Sequence, residues 1–98
     1  MFSEKVFELV KKIPRGRVTT YGDVARALNT KAYRAVGQAL KRNKSPQVPC
    51  HRVVKSSGEL GGFRGKETRE KARILRSEGI RIKNNRIELK RHLYRFSD

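Results

Sequence analysis

Residues 20–42, TYGDVARALNTKAYRAVGQALKR, decide the fold. Val24, Ala25 and Leu28 recur at helical spacing after Tyr21, and Thr20 with Asp23 three positions on forms an N-cap pattern, in which a hydroxyl accepts a backbone N–H that no helical carbonyl reaches. A short helix over 21–28 is expected. Asn29 and Thr30 interrupt it, and Ala32, Val36, Ala39 and Leu40 then make the apolar stripe of a second helix over 31–42, with Thr30 placed to cap it. Two helices across so short a break read as a helix-turn-helix.

On the amino-terminal side, Val6, Phe7, Leu9, Val10 and Ile13 share one face of a first helix over 3–13, which Pro14 and Gly16 stop. On the other side, residues 43–49 contain two prolines, a serine and an asparagine and are irregular. Cys50 to Val54 reads as a helical turn or an extended piece leading into a Ser56-Ser57-Gly58 turn. Gly61, Gly62 and Gly65 surround Phe63 in a glycine-rich loop. A further helix over 67–77 ends at Gly79 in the C-cap position. Ile80 and Ile82, the Asn84-Asn85 turn, and Ile87 with Leu89 read as a small closing hairpin. The pattern is α+β and mainly helical, a single domain over residues 1–98.

The 98 residues carry 25 Lys or Arg against 9 Asp or Glu, a formal net charge of +16, and only 36% of them are apolar. The excess is shared equally between residues 1–49 and 50–98, so it belongs to the fold and not to a basic tail. A surface so charged repels itself unless a polyanion screens it, and nucleic acid is the expected partner. No apolar run is long enough for a membrane span, and the first residues lack the order of a signal peptide, so no membrane partner and a cytoplasmic, nucleoid-associated monomer are expected. One cysteine makes no internal disulfide, and Cys50 with His51 and His92 falls short of a four-ligand zinc pattern. No metal and no cofactor are implied.

Two places carry the chemistry. In the second helix of the helix-turn-helix, Arg34, Gln38, Lys41 and Arg42 are spaced to share a face beside Ala35 and Gly37, residues too small to read base edges. Small residues around one long arginine suit close approach to a narrow groove, where Arg34 would enter the base stack as a wedge; the plain alternative is a solvated basic face. The ordinary role of a lone intracellular cysteine is that of a small buried hydrophobe. Cys50, however, follows rigid Pro49 and precedes His51 and Arg52, and a reactive thiolate needs a base or positive charge nearby. Chain neighbours point apart, so His51 is expected to reach the thiol through a water. Glu78 is the carboxylate to pair with His51, its alternative being a helix-end surface acid.

Pro49-Cys50-His51-Arg52-Val53, with Arg34-Ala35-Val36-Gly37 some sixteen positions earlier, closely resembles the O6-alkylguanine-DNA alkyltransferases, which reverse DNA damage directly. The resemblance runs from about Phe2 to Ile82 and includes Gly16-Arg17-Val18-Thr19-Thr20-Tyr21, Ser56-Ser57-Gly58, Gly61-Gly62-Phe63 and Glu78-Gly79. It implies a winged-helix-like helix-turn-helix domain of the alkyltransferase carboxy-terminal type, binding duplex DNA that contains O6-alkylguanine. In that reading Cys50 accepts the alkyl group, His51 activates it through a water, Glu78 orients His51, and Asn43 is a hinge contacting the active-site segment. Tyr21, Arg34, Ala35, Gly37, Gln38, Arg52 and Ser57 meet DNA, Arg34 filling the gap left by the flipped nucleotide, while Pro46, Val53 and Phe63 line the base pocket.

The chain also departs from that family. The amino-terminal domain of the usual alkyltransferases has no counterpart here, the Asn43 to Cys50 interval is one residue short, and Phe63 replaces a tyrosine whose hydroxyl helps the leaving oxygen. The outline and the tail over 85–94 resemble the alkyltransferase-like proteins, which bind alkylated guanine without repairing it and carry tryptophan where this chain has Cys50. The rival readings are thus a lesion sensor that passes its complex to other repair proteins, and a non-catalytic architectural DNA-binding protein.

The missing hydroxyl has a measurable consequence. Losing one donor to a developing oxyanion costs roughly 3 kcal/mol, about a hundredfold in rate. Phe63→Tyr should therefore speed alkyl transfer and leave DNA affinity nearly unchanged in single-turnover kinetics; an unchanged rate would show that another group already serves the leaving oxygen.

Overall fold

A computed structural model describes residues 1–61 and 68–96. The elements run α1 (Phe2–Val10), β1 (Thr19–Thr20), α2 (Tyr21–Ala27), α3 (Tyr33–Lys41), a single 3-10 turn (Cys50–Arg52), β2 (Val53–Val54), α4 (Thr68–Ser77), β3 (Ile82–Lys83), β4 (Arg86–Ile87) and α5 (Leu89–His92). The domain is small, α+β and mainly helical, as its sequence pattern implies.

Its apolar residues fall into two clusters. Val6, Val10 and Ile13 of the amino-terminal segment pack with Val24, Ala25, Val36, Ala39 and Leu40 of the helix-turn-helix and with Val48, Cys50 and Val53. The second cluster joins Val18 and Val54 to Leu60, Ala72, Leu75, Ile80, Ile82 and Ile87. Between them lies a two-residue parallel pairing, Thr19 against Val53 and Thr20 against Val54. Because successive strand side chains point to opposite faces, Val53 enters one core and Val54 the other. This pairing is invisible in the sequence, since two residues show no alternation.

Local signals explain most boundaries. The Thr20 hydroxyl accepts from the Asp23 N–H at 3.0 Å and starts α2. Asn29, in the left-handed region at φ 61°, breaks the chain between the two helices. Thr30 was expected to cap a helix from 31; its hydroxyl instead accepts from the Ala32 N–H at 3.2 Å, closing the turn ahead of α3, which begins at Tyr33. The first helix ends at Val10, and a tighter turn, Ile13 N–H to the Val10 carbonyl, delivers Ile13 to the core. Asn84 and Asn85, both at positive φ, form the two-residue turn of the β3–β4 hairpin, which pairs antiparallel.

Gly58 and Gly79 adopt positive φ for different reasons. At Gly58 (φ +93°) an added Cβ would lie 2.7 Å from the Ile87 carbonyl oxygen, because Gly58 and Ile87 are bonded backbone to backbone; at Gly79 (φ +89°) nothing lies within 4 Å. Gly79→Ala should cost about 1 kcal/mol of backbone strain alone. Gly58→Ala should cost clearly more, because the hairpin must move, and each kcal/mol lowers the Tm of a domain this size by about 4–8 °C. Thermal unfolding of the two variants checks this; equal losses would mean that the hairpin docks loosely.

Candidate functional site

Cys50 opens the 3-10 turn and is 5% exposed, its N–H donating to the Val48 carbonyl at 2.8 Å. The loop before it is irregular, as two prolines require, and Asn43 holds it together. The Asn43 side chain, itself buried, accepts from the Ser45 N–H at 2.9 Å and donates to the Ser45 and Val48 carbonyls at 3.3 and 3.2 Å. Cys50 is thereby tied to the end of α3.

His51 and Glu78 meet at 2.8 Å, Nε2 to Oε2. A carboxylate accepts, so Nε2 carries the proton and Nδ1 is the acceptor nitrogen. Burial lowers the His51 pKa, the Glu78 contact opposes this, and the Arg52 and Lys71 charges add to the lowering. Burial alone would raise the Glu78 carboxyl, but its hydrogen bonds to Arg52 and His51 outweigh that and hold it below the usual carboxylate value. Glu78 is thus an internal ion and not a surface acid, with its side chain 7% exposed.

Lys71 was missed by the sequence reading. Its residue is fully buried on α4, and its Nζ donates to the Val53 carbonyl at 2.6 Å and lies 3.5 Å from the Tyr21 hydroxyl and 5.7 Å from the centre of that ring. Burial pushes its pKa down to about 7, against an opposing interaction with Cys50. Tyr21 is pushed up to about 12 by burial and by Cys50. A strongly perturbed lysine that interacts with a cysteine is a candidate for a functional role. The signal was its spacing: Lys71 precedes Leu75 by one turn and shares its inward face.

The other expected site residues divide. Arg34, Ala35 and Gln38 are exposed along α3, with the Arg34 guanidinium 5.8 Å from the Tyr33 ring centre. Gly37 faces inward, where an added Cβ would lie 3.9 Å from the Tyr21 ring. Ser57 and Pro46 are exposed, and Ser57 donates to the Glu59 carboxylate at 3.1 Å. Phe63 lies outside the described residues. Two assignments need correction. Val53 presents no side chain to a base pocket: it is wholly buried in the first core, and only its carbonyl reaches the site, through Lys71. Arg52 is likewise turned inward: its side chain is 16% exposed and its guanidinium is bonded to Glu78 and to the Ile13 carbonyl.

Comparison with known proteins places this geometry in context. Residues 1–80 match the family model of the 6-O-methylguanine DNA methyltransferase DNA-binding domain. A bifunctional methyltransferase/endonuclease of Picrophilus torridus is 48% identical over 95 residues, covering 95% of this chain and 31% of that protein. Other curated relatives are methylated-DNA–protein-cysteine methyltransferases, and the chain spans about half the length of these. Among solved structures, S. pombe Atl1 in complex with damaged DNA containing O6-carboxymethylguanine superposes with a TM-score of 0.86 at 30% identity, over 97% of this chain and 95% of that one. The O6-methylguanine-DNA methyltransferase of Pyrococcus kodakaraensis gives 0.72 at 49% identity, over 81% and 46%.

The buried lysine makes stability depend on pH. In the unfolded chain Lys71 titrates near 10.5, against about 7 when folded, so between these values the unfolded state binds the extra proton and stability rises with pH. Lys71→Met should flatten that rise by up to one proton's worth, about 1.4 kcal/mol per pH unit. Urea unfolding of both proteins between neutral pH and about 9.5 tests this; parallel curves would mean that Lys71 stays charged in the fold.

Proposed function

The chain belongs to the family of the 6-O-methylguanine DNA methyltransferase DNA-binding domain, and from that membership we propose that it repairs O6-alkylguanine in duplex DNA by moving the alkyl group to Cys50. The arrangement that supports this reading best is the cysteine beside a histidine whose far nitrogen is held by a buried carboxylate, with a buried ammonium behind it. The exposed face of α3 lies along the minor groove, and Arg34 takes the place of the nucleotide that leaves the stack.

The chemistry needs no cofactor. His51 Nδ1 takes the thiol proton through a water, and the imidazolium that forms is stabilised across its other nitrogen by Glu78. The Cys50 thiolate attacks the alkyl carbon in line with the C–O bond. A sulfur–carbon bond forms, the carbon–oxygen bond breaks, and its electrons stay on the guanine oxygen, which then gains a proton. An anionic Cys50 favours the charged form of Lys71, whose ammonium is held at the Val53 carbonyl. The thioether does not revert, so each molecule acts once.

A second reading has its own support: the likeness to Atl1 runs through nearly the whole chain, tail included. In that reading the protein senses the lesion and recruits other repair proteins. Incubation with a duplex containing O6-methylguanine followed by intact-protein mass separates the two. Repair predicts a gain of one methyl group, abolished by Cys50→Ser, while that variant keeps its affinity for DNA because the basic surface is unchanged. Lesion-selective binding with no gain of mass would establish the sensor instead.

A further inference from the structure

Arg52 has little exposure and a fully directed guanidinium, yet the transfer chemistry just described makes no use of it. Its Nε donates to Glu78 Oε1 at 2.9 Å and its Nη2 to Oε2 at 2.8 Å, the two-point grip that suits a carboxylate. The same Oε2 accepts from His51. A third nitrogen, Nη1, donates to the Ile13 carbonyl at 2.8 Å, where α1 runs into the turn toward β1. Arg15, within that turn, donates back to the Ser77 carbonyl at 2.8 Å, one residue before Glu78. From the 3-10 turn Arg52 thus bridges the segments at Ile13 and Glu78, and Arg15 joins those same two segments directly.

We infer that Arg52 is the positioning residue of the alkyl-acceptor site: it fixes both oxygens of Glu78 against rotation, so that His51 meets the carboxylate in one orientation and remains an acceptor for the thiol proton. The inference rests on the alkyl-transfer reading. Its physical basis is a competition for one carboxylate. A Glu78 held by His51 alone would draw charge onto the imidazole and make it an imidazolium, which accepts nothing. With its negative charge shared by a guanidinium at hydrogen-bond distance, Glu78 orients the ring without over-stabilising the protonated form. The groups that bear on His51 all act in this balance: Glu78 favours the charged ring, and Arg52 beside it and Lys71 from α4 oppose it. Lysine in place of Arg52 would keep the charge and lose the two-point grip, because an ammonium is a point donor without the planar fork.

The test is a titration of the His51 ring by NMR in the full chain, set beside the pH profile of methyl transfer. In Arg52→Gln the His51 pKa should rise, and transfer at neutral pH should fall by about tenfold or more, the defect fading as the pH is raised and the ring loses its proton. Arg52→Lys should show the same changes to a smaller degree, and it leaves Glu78 a cationic partner where the glutamine variant fails to fold. Arg52→Lys with the wild-type His51 titration and transfer rate would overturn the inference, as would a loss in Arg52→Gln that is equal at every pH. The ring titration is read without any transfer. A wild-type protein that binds the lesion and takes up no methyl group therefore sinks the repair reading, while an unmoved His51 titration sinks the role of Arg52.

Discussion

The site depends on a pairing of four residues. Thr19–Thr20 and Val53–Val54 are each too short to persist as strands, but side by side in parallel register they join the segment that begins α2 to the segment that carries Cys50. Tyr21 follows β1 directly and Arg52 precedes β2 directly. The pairing therefore sets where the phenol ring lies relative to the turn bearing Cys50, and the Lys71 ammonium closes the arrangement by bonding the Val53 carbonyl while lying against Tyr21. A parallel pair needs a long crossover, and here most of it is the helix-turn-helix itself. The helix-turn-helix and the turn bearing Cys50 are consequently one continuous unit, not two modules joined by a linker.

The electrostatic character of this unit is unusual for so small a core. Among the described residues, Arg52 and Lys71 bring positive charge inside, and the Glu78 carboxylate lies against Arg52. Burying an ion costs several kcal/mol before its partners compensate, and apolar residues of similar volume often serve stability as well or better. The Lys71 ammonium is disfavoured by burial and favoured by Cys50.

The sequence disclosed those parts of the fold that repeat a local rule. The α2 cap, the apolar stripe of α3, the positive-φ glycine after α4 and the Asn84-Asn85 turn are all set by neighbours within about four residues, and each was legible. The β1–β2 pairing was not, because it joins residues more than thirty positions apart with two on each side. At the site, the Cys50, His51 and Glu78 grouping followed from residue type together with a family resemblance. Lys71 and the internal role of Arg52 escaped because a basic residue in a chain of net charge +16 looks like one more surface cation. Nothing in composition distinguishes these two inward-turned cations from the others; for Lys71 the apolar face of α4 was the one available clue.

The tail shows why the matched family segment is not the whole structural unit. The family model ends at residue 80, yet Val18, which leads into β1, has both backbone groups bonded to the tail: its N–H donates to the His92 carbonyl at 2.9 Å and its carbonyl accepts from Tyr94 at 2.7 Å. Tyr94 and Phe96 then meet edge to face, 5.4 Å apart, against the first core cluster. A two-stranded parallel pair has two open edges, and open edges invite other chains. By covering Val18 the tail protects the approach to β1, and by packing on the helices it adds aromatic surface to a core that is otherwise mostly valine, alanine and leucine. Residues 81–96 are therefore part of what holds Tyr21 and Cys50 in register, although they stand far from both in the chain and carry none of the proposed transfer chemistry.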